Sequence, residues 1–144
     1  MSEVLDPQQN IINSFHNYES WEDKYKHIIN LGKTLAPLEE KFKTEDNIVK
    51  GCQSQVWLVA SVNSKNKIEF KGDSDAIIVK GLLALVLSIY NNLSASEILK
   101  TEPTFLKTLE LSEHLSPSRS NGLFAMIKKI KYYGLAFHAL EGQG

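Results

Sequence analysis

The chain has 144 residues, 42% of them hydrophobic, which is enough for a single domain with one buried core. Its 16 basic and 17 acidic residues give a formal net charge of -1, so it lacks the positive field with which proteins bind a nucleic-acid backbone. The single cysteine cannot form an intramolecular disulfide, and the four histidines lack zinc-site spacing, so we expect no metal site.

Two helices are predicted in the N-terminal third of the chain. A short one covers residues 8–15, and a longer one covers residues 21–35, where apolar side chains recur at helical intervals. Ser20 and Asp23 have the spacing of a capping box at the start of the longer helix. The charged, aperiodic run 39–47 predicts an exposed connection.

A β-hairpin is predicted next. Residues 55–62 are rich in β-branched and aromatic side chains, residues 63–66 are typical of a turn, and residues 67–72 alternate apolar and polar. A two-stranded hairpin alone is marginally stable. We therefore expect a third short strand from residues 48–50, or cover by helices, to complete the sheet.

The helix predicted over residues 76–90 is apolar nearly all round, which places it at the centre of the fold. Ser74 or Asp75 would provide its N-cap. Lys80 interrupts the helix, which is shorter than the roughly 20 residues that cross a bilayer. Gly81 lowers helix propensity, so we expect it to allow close packing against the sheet.

The C-terminal part is predicted to be helical. A capping box at residues 94–97 opens a short helix, residues 104–109 form one or two turns, and a serine-proline pair starts a long helix over residues 116–138. The basic run 128–131 would lie on the solvated side of this helix. Its predicted buried stripe is Leu123, Met126, Ile127, Ile130, Tyr133 and Phe137.

The only cysteine lies in a polar stretch, Gly51-Cys52-Gln53-Ser54-Gln55, immediately before the first predicted strand. A structural cysteine is usually found inside an apolar helix or strand, where it behaves as a small hydrophobe. A polar loop that begins with glycine instead presents a side chain to another molecule. The position of the thiol therefore favours a chemical role.

Four separated segments carry a family likeness. They are residues 51–57, residues 72–76 with 79–82, residues 115–122, and residues 21–25 with 29–32. In these segments, and over about residues 11–137, the chain resembles the SufE family of cysteine desulfuration proteins. The resemblance implies one SufE-like domain over residues 1–144, with a core over about 11–138 and frayed ends. It implies an α+β fold in which a three-stranded antiparallel sheet packs on helices, similar to the iron-sulfur scaffold protein IscU, with a long C-terminal helix.

The function implied by the resemblance is sulfur transfer. A pyridoxal-phosphate-dependent cysteine desulfurase of the SufS or CsdA type would hold sulfur from L-cysteine as a persulfide, and Cys52 would accept it by thiol exchange. The acceptor would stimulate that enzyme and pass the sulfur to a downstream acceptor or scaffold in iron-sulfur cluster assembly. The pyridoxal phosphate would belong to the partner, so we expect no cofactor in this chain. The resemblance does not separate the SufE type from the CsdE type, and a homodimer stays open.

We expect an accessory sulfur-transfer protein of the cytoplasm, without a membrane or nucleic-acid partner. The first residues lack the basic region and apolar run of a signal peptide, and a free thiol fits a reducing compartment.

The residues expected around the thiol are partner-binding or loop-positioning ones: Gly51, Gln53, Ser54, Gln55, Asp75 and Arg119. A free thiol is only a few per cent ionised at neutral pH, so its thiolate needs help. Lys50 and the backbone N–H groups of the turn at residues 53–55 are equal candidates. The side chains of Gln53 and Gln55 either bind the partner or solvate an exposed turn.

Arg119 and Asp75 each have two interpretations. Arg119 is expected to clamp a partner carboxylate in two-point geometry, and the alternative is a local ion pair with Glu113. Asp75 is better explained as a helix cap than as a partner contact.

Two other functions compete with sulfur transfer. A cysteine hydrolase would use Cys52 with His114 or His138 as base, which requires an imidazole within hydrogen-bond reach of the sulfur. An iron-sulfur scaffold would require several thiolates, and the chain has one cysteine.

Overall fold

A computed structural model describes residues 6–141, and the fraying predicted for the tail 142–144 lies outside this range. The fold is α+β, as predicted, with a long C-terminal helix. In chain order the elements are α1 (Pro7–Phe15), α2 (Trp21–Lys33), two 3-10 turns (Glu40–Phe42 and Glu45–Asn47), β1 (Val56–Val62), β2 (Ile68–Ser74), α3 (Ile77–Tyr90), α4 (Ala95–Lys100), α5 (Phe105–Thr108), α6 (Leu111–His114) and α7 (Pro117–Glu141).

The predicted hairpin is confirmed, and the predicted third strand is wrong. β1 and β2 pair antiparallel, from Val56 opposite Ser74 to Val62 opposite Ile68. Ile48 forms only an isolated bridge with Trp57, so the sheet has two strands within residues 6–141. A 3-10 turn ends at Asn47 and another turn begins at residue 50, which leaves too little extended chain between them for a strand.

Helices stabilise this small sheet by covering it. α3 is the central element, since ten of its 14 residues are buried, and it packs against α1, α2, α7 and β2. At the contact with the sheet, Gly72 of β2 lies so close to Leu83 that an added Cβ would be 2.8 Å from the leucine Cδ2. No helix within residues 6–141 combines the length and apolar character needed to cross a bilayer.

The prediction that Gly81 packs closely against the sheet is wrong. Gly81 faces α2 and not the sheet, because a Cβ added to it would lie 2.2 Å from the carbonyl oxygen of Ile28. Gly32 of α2 lies at the same crossing, where its own added Cβ would be 2.8 Å from the nitrogen of Gly81. The two glycines therefore allow the backbones of α2 and α3 to touch.

Side-chain caps define several helix ends. Ser94 and Glu97 form the predicted capping box, and the Ser20 side chain accepts a hydrogen bond from the N–H of Asp23. The predicted cap of α3 is wrong, since Ala76 occupies the N-cap position and no side chain caps it. The Asp75 carboxylate instead accepts a hydrogen bond from the loop before β1.

The basic run on α7 is only partly solvated. Lys128 is exposed, as predicted, but Lys129 and Lys131 are half-buried. Lys131 Nζ donates hydrogen bonds of 2.6 Å to the carbonyls of both Ile98 and Thr101 at the end of α4. Carbonyls at the C-terminal end of a helix attract a cation, which explains why Lys131 turns towards the protein.

Asp73 is a buried carboxylate that joins three parts of the chain. It accepts hydrogen bonds from the N–H groups of Leu38 and Ser74, and it pairs with Lys43 and Lys80. Burial raises its pKa, but the hydrogen bonds and Lys80 outweigh that effect, so the pKa lies below its ordinary value. Asp73 thus holds β2, α3 and the segment after α2 together.

Candidate functional site

The loop before β1 turns at Gly51, whose φ of +102° lies in the region that favours glycine. A Cβ added to Gly51 would be 3.2 Å from the Cβ of Ala125 on α7, which is a tight contact. Gly51 therefore lets the loop turn closely over α7. The next side chain, that of Cys52, lies against the beginning of this helix.

The other end of the loop is attached to the end of β2. The N–H of Gln55 donates to Asp75 Oδ1 at 3.0 Å, and the N–H of Asp75 donates to the Gln55 carbonyl at 3.2 Å. The hydroxyl of Ser74 donates to the same carbonyl at 2.8 Å. Asp75 is thus placed to position the loop and does not cap α3.

The thiol of Cys52 is half-buried between the loop and α7. Its Sγ donates to the carbonyl of Gly122 over 3.6 Å. A Cβ added to Gly122 would lie 3.3 Å from Sγ, so a larger residue would press on the sulfur. Gly122 belongs to one of the sequence motifs but had no predicted role, because its contact with the thiol is visible only in the fold.

Cys52 lies on a cavity of about 360 Å³. One part of the lining is apolar and comes from the beginning of α3 and from α7: Ala76, Ile78, Val79, Leu82 and Met126. The other part is polar and comes from the loop and the start of α7: Gln53, Ser54, Ser116, Ser118 and Arg119. The apolar residues were predicted only as core, because a helix pattern does not show which part of a buried face borders a cavity.

The surroundings of the thiol favour its neutral form. Burial raises the pKa of Cys52, and the Gly122 carbonyl accepts a hydrogen bond that only the protonated sulfur can donate. Lys50, one predicted helper, lines a neighbouring groove and not this cavity. The N–H of Gln55, part of the other predicted helper, is already donated to Asp75.

Arg119 is the one cation among the described residues that line the cavity. Its backbone N–H donates to the Ser116 hydroxyl at 3.3 Å, which fixes the first turn of α7. The side chain is exposed, and it forms no ion pair with Glu113 or any other carboxylate of residues 6–141. The guanidinium is therefore not engaged by a carboxylate of the described chain.

The structure also shows where the other residues predicted around the thiol lie. Gln53 and Ser54 line the cavity, whereas Gln55 is exposed and does not. Beside the cavity, Ile77 is 71% exposed, although its neighbours Ala76 and Ile78 contribute to the lining. Sequence reasoning treated Ile77 as core, since it belongs to a helix that is apolar nearly all round.

The alternative of a cysteine hydrolase requires a histidine base close to Cys52. No histidine lines the cavity of Cys52 within the described chain. His114 stacks on Trp21 with ring centroids 4.1 Å apart, and His138 lies 3.8 Å from Glu141 at the far end of α7. Both histidines proposed from the sequence are thus engaged elsewhere.

The potential metal ligands found within residues 6–141 do not include the thiol. Glu110, Glu113 and His114 lie within ligand distance of one another on the surface. Exposed acidic groups of this kind are common without a metal ion, and the group offers no site for a cluster at Cys52.

Comparison with known proteins identifies a similar fold and the family of the chain. The fold is similar to the solution structure of a hypothetical protein from Thermus thermophilus, with a TM-score of 0.76 and 19% sequence identity over 95% of this chain and 99% of that chain. A family model described as "SufE: Fe-S metabolism associated domain" matches residues 9–133, which include the loop of Cys52, Asp75 and Arg119. The chain therefore belongs to the SufE family, whose members are associated with iron-sulfur metabolism.

Proposed function

We propose that this protein is a persulfide carrier in which Cys52 accepts sulfur from a cysteine desulfurase. The observation that carries the proposal is the placement of the only cysteine on a cavity that also presents Arg119, which forms no ion pair within residues 6–141, in a chain of the SufE family. The proposed donor is a pyridoxal-phosphate-dependent enzyme of the SufS or CsdA type, and it supplies that cofactor itself. A carrier of this kind operates in the cytoplasm, where thiols stay reduced.

The proposed transfer is one thiol exchange. The Cys52 thiolate attacks the outer sulfur of the donor persulfide, the sulfur-sulfur bond of the donor breaks, and the donor cysteine leaves as a thiolate. Cys52 then carries the outer sulfur with its proton, and the proton that Cys52 lost ends on the donor thiolate. No net oxidation or reduction takes place. An acceptor in cluster assembly attacks the same outer sulfur in the next step and restores the thiol.

The cavity fits this role because a carrier must hold reactive sulfur between two encounters. Its apolar residues from α3 and α7 limit contact between water and a sulfur atom attached to Cys52. Since the thiol is half-buried, the loop has to shift, or the donor has to enter the cavity, before the two sulfurs meet. In this proposal Arg119 binds the partner, and its guanidinium pairs with a carboxylate of the desulfurase.

Mass measurement tests this function. After incubation with a cysteine desulfurase and L-cysteine, we expect Cys52 to gain one sulfur atom that a thiol reductant removes. The desulfurase should turn over faster in the presence of the protein. Both effects should disappear in Cys52→Ser. A wild-type protein that gains no sulfur from any SufS- or CsdA-type enzyme would contradict the proposal.

A further inference from the structure

A second depression lies on the other side of the Cys52 loop. This aromatic groove, defined by Phe124, Tyr132, Lys50 and Lys128, has a volume of about 1050 Å³. Gly51 also lines it, whereas the next residue lines the sulfur-transfer cavity, so the loop forms the ridge between the two depressions. The groove has no role in the chemistry proposed above.

Two partly exposed aromatic side chains lie along the groove. Phe124, Lys128 and Tyr132 are spaced four residues apart on α7, so they form one stripe along the helix. Phe124 is 49% exposed and Tyr132 is 62% exposed. Exposed aromatic side chains that line a groove are typical anchors of protein interfaces.

Several charged side chains of the groove form no ion pair within residues 6–141. Lys50 and Lys128 are exposed, and neither forms an ion pair with a carboxylate of residues 6–141. Lys129 is different, because its Nζ donates to the Ile48 carbonyl at 3.3 Å. Glu45 and Asp46 line the groove as well and are likewise unpaired within that range. Lys128, between the two aromatic rings, is therefore available to a carboxylate that arrives beside an apolar side chain.

The size of a protein interface links this groove to the sulfur donor. Transfer forms a bond of about 2.05 Å between two sulfurs, so the donor protein must cover the loop of Cys52. A stable interface buries about 800 Å² on each partner, which corresponds to a disc of roughly 16 Å radius. Phe124 and Tyr132 follow Gly122 by two and ten residues on α7, or about 3 and 15 Å along the helix axis. Along the helix axis, both positions are therefore within that radius of Gly122, whose carbonyl accepts the hydrogen bond of Cys52.

We propose that the aromatic groove is part of the surface that binds the desulfurase. In this proposal, which rests on the proposed function, an apolar side chain of the desulfurase packs between Phe124 and Tyr132. An acidic residue beside it pairs with Lys128 or Lys50. The donor is thereby held over both sides of the loop, by the groove on one side and by Arg119 on the other.

Substitutions in the groove test this surface apart from the chemistry. We expect Phe124→Ser combined with Tyr132→Ser to raise the Kd for the desulfurase at least tenfold, since interface aromatics are frequent hot spots. Lys128→Glu should weaken binding as well. None of these changes should alter the rate at which Cys52 takes sulfur from free cysteine persulfide, which needs no docking surface.

Leu140→Ser is the matched control. Leu140 is 61% exposed on the same helix, but it lies 18 residues beyond Gly122, or about 27 Å, and outside the expected interface. It should leave the Kd unchanged.

Three results would overturn the inference. If the double variant of Phe124 and Tyr132 bound with an unchanged Kd while the desulfurase transferred sulfur to the wild type, the groove would not be part of the interface. The proposed function would stand. A wild type that never receives sulfur from the desulfurase would contradict both the docking groove and the proposed function. If sedimentation showed a wild-type dimer that the double variant converts to monomers at unchanged desulfurase affinity, the occupant of the groove would be a second copy of this chain.

Discussion

Cys52 is held in an environment that opposes the ionisation its proposed reaction needs. Its sulfur is half-buried and its proton is directed to the Gly122 carbonyl. Each of these contacts stabilises the neutral thiol, and the Asp75 hydrogen bonds keep the loop in place. The isolated protein therefore holds its thiol in the neutral form, and in the proposed transfer the donor has to change this environment.

The reactivity of Cys52 should accordingly depend on pH in a predictable way. Because burial raises the pKa of the thiol above its ordinary value, the alkylation rate with iodoacetamide should be lower at neutral pH than for an exposed cysteine. The rate should rise with pH and reach its midpoint above that value. Asp75→Asn weakens the acceptor for the Gln55 N–H, so it should free the loop and raise the rate at neutral pH. A wild-type midpoint below about 8, under the ordinary range of a free thiol, would mean that an unidentified group stabilises the thiolate.

At this scale the sequence singled out Cys52 as the candidate reactive residue, but it predicted only part of the surroundings that the structure gives this thiol. Cys52 was identified because one cysteine in a polar loop is a local signal. Gly122 and Lys50 show the limit of such reasoning. The Gly122 carbonyl comes from a helix that is 70 positions further along the chain. Lys50 is close in sequence but lines a different depression, because the chain turns at Gly51 between it and the thiol.

The elements followed from local patterns wherever the pattern was regular. Helical periodicity and the Ser94 cap predicted helices that the structure confirms, since both signals depend on neighbours within one turn. The prediction of a third strand was wrong because residues 48–50 include β-forming side chains but form too short an extended segment. Gly81 indicated a close approach correctly, yet its partner, α2, could not be deduced from the position of a glycine.

The crossing of α2 and α3 should be sensitive to a single methyl group. Gly81→Ala adds a Cβ that would lie 2.2 Å from the Ile28 carbonyl oxygen, so the two helices must move apart. We expect the free energy of unfolding to fall by about 2 kcal/mol, although alanine alone would favour the helix by about 1 kcal/mol. Urea denaturation measures the change. Ser88→Ala, at an exposed position of the same helix, should stay within about 0.5 kcal/mol of the wild type. A stabilised Gly81→Ala variant would contradict this packing.

On the scale of the whole molecule, the net charge is slightly negative, whereas the surface around the Cys52 loop carries several positive side chains. The chain carries a net charge of -1, which excluded a general basic surface. The fold nevertheless places Arg119 on one side of the Cys52 loop and Lys50 and Lys128 on the other, none of them paired within residues 6–141. This grouping could not be predicted from the sequence, because it depends on the packing of α7 beneath the loop.

Binding to the desulfurase should therefore depend on salt, despite the near-neutral chain. Screening by ions weakens attraction between exposed charges, so we expect the association rate to fall as ionic strength rises. Arg119→Ala should raise the Kd about tenfold and flatten this dependence, and Arg119→Lys should restore the salt dependence but not the full affinity, since lysine cannot form the two-point contact. Stopped-flow association at low and high ionic strength measures these effects. Lys26→Ala, which removes an exposed charge from the Glu22 pair on α2, provides the control and should leave both quantities unchanged. An Arg119→Ala variant that binds with wild-type affinity and salt dependence would show that the guanidinium does not contact the partner.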